Sequence, residues 1–167
     1  MCIRDRNGGA AGQPGQAPAA PAPQASTPSA PPPQATATPS DPKAALQAAL
    51  DAYGKHDYAT SARLAQGIVA KDKSAPQAYR AQYLVAQSYA AKGDPQNAAI
   101  AYDSTYNMNR NGTYAPHALL GLASSLAAIN QKGAACDTIA SLNSQFTNQS
   151  AGMRADVAAV AKRAHCS

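Results

Sequence analysis

The chain has 167 residues, a formal net charge of +5, no tryptophan, no glutamate and one phenylalanine. Its basic residues are scattered among aspartates, with only Lys162 and Arg163 adjacent, whereas a nucleic-acid face needs clustered Lys and Arg with aromatics between them. No stretch stays apolar for the roughly 20 residues that a membrane span needs, and the dominant residue, alanine, favours helix.

Met1–Arg6 reads as the translated end of a sequencing adapter and is set apart as a scar. On that reading the natural N-terminus, with any export signal, lies upstream. Residues 7–40 form a linker rich in Pro, Ala and Gln, and residues 7–42 hold ten of the thirteen prolines. Such a segment buries too little apolar surface to offset its ordering entropy, so disorder with a polyproline II bias is predicted there. Asp41-Pro42 opens the folded part, a capping carboxylate followed by proline at the first helical position. Helices are predicted at 42–54, 57–71, 76–92, 95–109, 115–130, 132–146 and 149–165.

The stretch 77–110 reads as two helices around a Lys92-Gly93-Asp94-Pro95 turn, with Val85, Ala86 and Tyr89 on the first and Ala98, Tyr102 and Thr105 on the second. Small residues allow two backbones to approach, and large ones fill the space beside them. This resembles the tetratricopeptide (TPR) pattern, with Gln82 where that pattern prefers Trp and Arg110 where it prefers Pro. The pattern echoes at a spacing of 37 residues: Ser61, Ala98 and Ala135; Ala49, Ala86 and Ala123; and, at the turns, His56, Gly93 and Asn130. The predicted fold is all-α: a right-handed superhelical stack of three TPR helix pairs, at about 42–75, 76–112 and 115–148, plus a capping helix at about 149–165. Repeats of this kind bury their apolar faces only by stacking.

No phosphate loop, HExxH or nucleophile elbow is present. His56, His117 and His165 have no metal-type spacing, so no enzyme activity, metal or cofactor is expected. In stacked helix pairs the first helix of each pair lines the concave side. The predicted peptide-binding groove therefore takes Leu46 and Tyr53 from the first pair, Arg80, Tyr83 and Gln87 from the second, and His117 and Leu120 from the third.

With linker, repeats and cysteines assembled, residues 41–167 resemble the C-terminal domain of the periplasmic TPR family of the Tol–Pal system, the cell-division coordinator CpoB/YbgF. The resemblance rests on AQYLVAQSYAAKGDPQNAAIAY, on APHALLGLASSLAAINQKGAACDTI and on the terminal AKRAHC. It implies a periplasmic adaptor that is not an enzyme. Such a protein engages TolA, helps couple septal peptidoglycan synthesis to outer-membrane constriction, and oligomerises through an upstream coiled coil. Neither nucleic-acid binding nor membrane insertion is implied. A TPR scaffold of another envelope complex is the alternative reading. Several family members carry an Ala-Cys in the third unit and end in Cys, as Cys136 and Cys166 do here. Antiparallel neighbouring helices would place the two at one edge of the stack. A Cys136–Cys166 disulfide is expected, with two reduced thiols as the alternative.

Overall fold

The computed structural model describes residues 41–166. Seven α-helices make up this part, with no strand among the described residues: α1 (Pro42–Gly54), α2 (Tyr58–Lys71), α3 (Ala78–Lys92), α4 (Pro95–Met108), α5 (Ala115–Ala128), α6 (Lys132–Gln145) and α7 (Ala151–Ala164). Every bound falls within two residues of its expected place. The scar and linker expected at 1–6 and 7–40 lie outside the described residues.

Four of the seven helix starts carry side-chain caps. Asp41 accepts from the Lys43 N–H at 3.0 Å, Asp57 from Thr60 at 3.1 Å, Asp94 from Asn97 at 3.2 Å and Ser150 from Met153 at 3.2 Å. Helix ends follow one rule within each pair. His56, Gly93 and Asn130 adopt left-handed backbone, with φ of 62°, 81° and 63°. Directly after them the N–H groups of Asp57, Asp94 and Gln131 donate to Ala52, Tyr89 and Leu126 at 2.9, 2.9 and 2.8 Å. These bonds satisfy carbonyls that a helix end leaves orphaned and fold the chain back into the next helix. The connections between pairs repeat as well: Ala75 donates to Asp72 and Ala78 to Ala75, as Gly112 does to Asn109 and Ala115 to Gly112.

The caps make a testable statement about pH. Asp57 is held below the usual carboxylate range, first by the Thr60 backbone N–H, and Asp94 first by the Asn97 side chain and then by its N–H. A carboxyl depressed in the folded state adds stability above its unfolded value, and that contribution is lost as pH falls through the folded value. Acidification below about pH 4 should therefore weaken the fold. The double substitution Asp57→Asn, Asp94→Asn keeps capping residues, so its melting temperature should drop less between about pH 5 and pH 2 than the parent's. Equal drops would show that these caps do not carry the acid sensitivity.

Each helix packs on its sequence neighbours, and in addition α1 meets α3, α3 meets α5 and α5 meets α7. The even-numbered helices lie farther from one another, with α4 reaching α6 through the Tyr106 hydroxyl on Gln145. The odd helices thus form a continuous row, with the even helices laid against its back. The positions that echo at 37 residues are fully buried: Ser61, Ala98 and Ala135, and likewise Ala49, Ala86 and Ala123, each at 0 % exposure. Alanine at both places lets facing backbones close up, and the Ser61 hydroxyl is satisfied by the Ser88 hydroxyl at 3.0 Å. One core joins α1 to α4 and reaches Ala118 of α5. A second, with Leu119, Ile139, Leu142, Met153, Val157 and Val160, joins α5, α6 and α7, and Tyr106 packs against both.

Of the eight tyrosines, Tyr102 is buried, and Tyr53, Tyr83, Tyr89 and Tyr106 pack partly buried against the cores. A phenol is best placed with its ring packed and its hydroxyl reaching a partner or water. Tyr89 accepts from Gln66 at 2.8 Å, and Tyr106 donates to Gln145. Tyr102 lies over α5, where Gly121 leaves room for its ring: a Cβ at 121 would come within 2.4 Å of the phenol.

Candidate functional site

The expected groove residues all lie on odd helices, and the structure sorts them into four groups. Arg80, Tyr83 and Gln87 stand on successive turns of α3 and, with Leu50, Leu84 and Tyr114, line a cavity of about 140 Å³. Leu50 and Leu84 supply an apolar floor, and Gln87, Arg80 and two phenols supply polar edges. The Tyr83 and Tyr114 rings stack at 4.8 Å, and Tyr114 also meets Tyr79 at 5.3 Å. Arg80 donates to the Tyr114 hydroxyl at 3.2 Å, so α3 is tied to the start of α5 beside the cavity. Tyr79 reinforces the tie: its hydroxyl donates to the Asn109 carbonyl at 3.2 Å and accepts from the Tyr114 N–H at 3.1 Å. Burial, then the neighbouring Tyr53, Tyr114 and Tyr79, pushes the Tyr83 phenol above its ordinary range.

His117 belongs elsewhere. It is exposed at the start of α5 and lines a separate, larger cavity of about 410 Å³ together with Phe146, Gln149 and Met153. Leu46 is 8 % exposed and sits in the first core, and Leu120 packs against the second. Both support the face more than they offer surface. Tyr53 is half-exposed and meets Tyr58 edge-on at 5.2 Å, at the far end of α1. Four of the seven expected residues thus fall at two separate cavities, one on α3 and one between the start of α5 and the α6–α7 connection.

Tyr114 and Leu84 contribute to the site without having been anticipated. Tyr114 lies just outside α5, at its N-cap. Its spacing from Tyr79, two residues short of the 37 that would match Tyr79 to Pro116, gives no periodic hint. What could have drawn attention to it is an aromatic residue immediately before a helix start in a chain poor in aromatics.

At the C-terminal end, Cys136 near the start of α6 is bonded to Cys166 just beyond α7, with Cα atoms 5.5 Å apart. The antiparallel arrangement of the two helices brings these ends together, as expected. Such a bond persists in oxidising surroundings and fits a location outside the cytosol. Among the described residues, no helix is long and apolar enough to cross a membrane. Set against protein-family models and curated proteins, the sequence matches none of them.

Proposed function

We propose that residues 41–167 are a periplasmic TPR adaptor: a right-handed superhelical stack of three helix pairs closed by α7. In this reading it docks a segment of the Tol–Pal machinery, TolA, along the odd-helix row, and so helps coordinate septal peptidoglycan synthesis with outer-membrane constriction. It acts by binding and catalyses nothing itself. The observation that carries the reading is the cavity of Arg80, Tyr83, Gln87, Leu50 and Tyr114 on a face where each odd helix touches the next. Tyr and Arg beside aliphatic floors are the residue types that most often dominate interface energies. The disulfide supports an oxidising compartment, and the resemblance of the repeats and cysteines supplies the partner.

The test is binding of a TolA fragment to the parent and to Arg80→Ala, with circular dichroism to verify folding. Arg80→Ala is expected to weaken binding by about tenfold, in the range of a truncated interface anchor. Unchanged affinity would remove the groove from the interface. No TolA binding by the folded parent would favour a scaffold of another envelope complex.

A further inference from the structure

We infer that the partner segment is acidic and extended, and that a ladder of four basic side chains reads it. This rests on the adaptor reading above and adds the chemistry of the ligand. Lys43, Arg80, His117 and Arg154 recur at 37-residue spacing, one on each odd helix. Each stands three residues before a large apolar or aromatic residue of its helix: Leu46, Tyr83, Leu120 and Val157. Residues three apart share a helix face, so the four follow one edge of the row.

The side-chain contacts bear out the alignment. Arg80 reaches across to Tyr114, three residues from His117. His117 lines a cavity with Gln149, and the Arg154 guanidinium donates to the Gln149 carbonyl. All four are exposed. Among the described residues, no carboxylate pairs with any of them: Arg80 and Arg154 bind a phenol and a carbonyl.

Acids are sparse along this edge: Asp51 on α1 and the exposed Asp156 on α7 are the aspartates within odd helices, and Asp156, two residues from Arg154, lies off its face. Neither α3 nor α5 contains an aspartate. Asp57 and Asp94 cap the even helices α2 and α4, Asp41 is taken by the Lys43 backbone N–H, and Asp51 accepts from Gln47. A face with Lys43, Arg80 and Arg154 along it and no acid on α3 or α5 has a positive field toward solvent and attracts anionic partners.

Geometry sets the form of the partner. Packed helices stand about 8–10 Å apart, and an extended chain advances about 3.3 Å per residue. One carboxylate at every third residue therefore matches one rung. Lys43, Arg80 and Arg154 supply fixed charge, and the His117 ring adds an N–H donor between them.

The probe is a fluorescein-labelled peptide of about 13 residues with Asp at every third position among Ala and Ser, compared with the same peptide carrying Asn. Anisotropy titrations use the full chain in about 20 mM and about 200 mM salt. The Asp peptide is expected to bind at least about tenfold more tightly than the Asn peptide at low salt, and this advantage should shrink at the higher salt. Arg80→Gln should cut Asp-peptide binding by about fivefold, whereas Lys132→Gln, at the start of α6, should leave it unchanged. Arg80→Glu should favour the matching Lys peptide.

Equal binding of the Asp and Asn peptides, no binding of either, or an advantage that survives Arg80→Gln with Arg154→Gln would overturn the ladder. If TolA binding still required Arg80 in that case, the adaptor reading would stand and only the acidic chemistry would fall. If the Asp peptide bound through the ladder while TolA did not bind, the ladder would stand and the partner would be another acidic protein.

Discussion

Tyr102→Ala is expected to destabilise the domain by about 3–5 kcal/mol, the cost of emptying a buried aromatic site. Tyr102 is 7 % exposed, packs in the first core and meets the Tyr83 ring at 6.1 Å. Burial is the main reason its phenol is pushed far above its ordinary range. The ring also fills the space that Gly121 leaves on α5. Gly121→Ala should therefore cost about 1–3 kcal/mol by overpacking, because the new methyl meets a ring held on its other side. The two effects should not add. With Tyr102 already alanine the clash is gone, and glycine to alanine inside a helix gains up to about 1 kcal/mol. In that background Gly121→Ala should be neutral or stabilising. Chemical denaturation of the two single variants and the double variant measures the coupling. Additive losses would mean that Tyr102 does not rest on Gly121.

Loss of the Cys136–Cys166 bond should lower stability by about 3–4 kcal/mol, the loop-entropy value for a separation of 30 residues. The melting temperature should fall by roughly 10–15 °C for a domain of this size. The bond matters because, among the described helices, α7 packs only on α5 and α6. Its apolar contribution is one stripe of Met153, Val157, Val160 and Ala164. Melting curves with and without reductant, and of Cys136→Ser with Cys166→Ser, test this. A double-serine variant that melts with the oxidised parent would show that packing alone holds α7.

Much of the fold was legible because local chemistry and spacing agreed. Asp-Pro before α1 and α4, glycine at the α3 turn and alanines at the close approaches each state a backbone requirement in the residue itself. The left-handed turns at His56 and Asn130 were visible only through their 37-residue match to Gly93. Gln82, a departure from the aromatic of the pattern, is accommodated by a different bond: its side-chain amide donates to the Ala101 carbonyl at 3.2 Å.

The site was less legible because exposure is a tertiary property. Leu46 occupies the same repeat position as Tyr83, and nothing in the spacing reveals that Leu46 is buried in the core while Tyr83 also borders a cavity. The pairing of Tyr102 with Gly121 joins two different helix pairs, so it escaped a reading made within each pair.

The matching connections before α3 and α5 have a consequence for how such a protein can change length. Both joints close the same backbone bonds, Ala78 to Ala75 and Ala115 to Gly112. The segment between them therefore begins and ends in interchangeable geometry, and its helices meet only nearby ones. Duplicating or excising that segment would leave no orphaned joint and no pair of distant ends needing to meet. The molecule is, in effect, open to growth by whole modules, each adding one rung of fixed width, so reach along a partner can be altered without redesigning the cross-section.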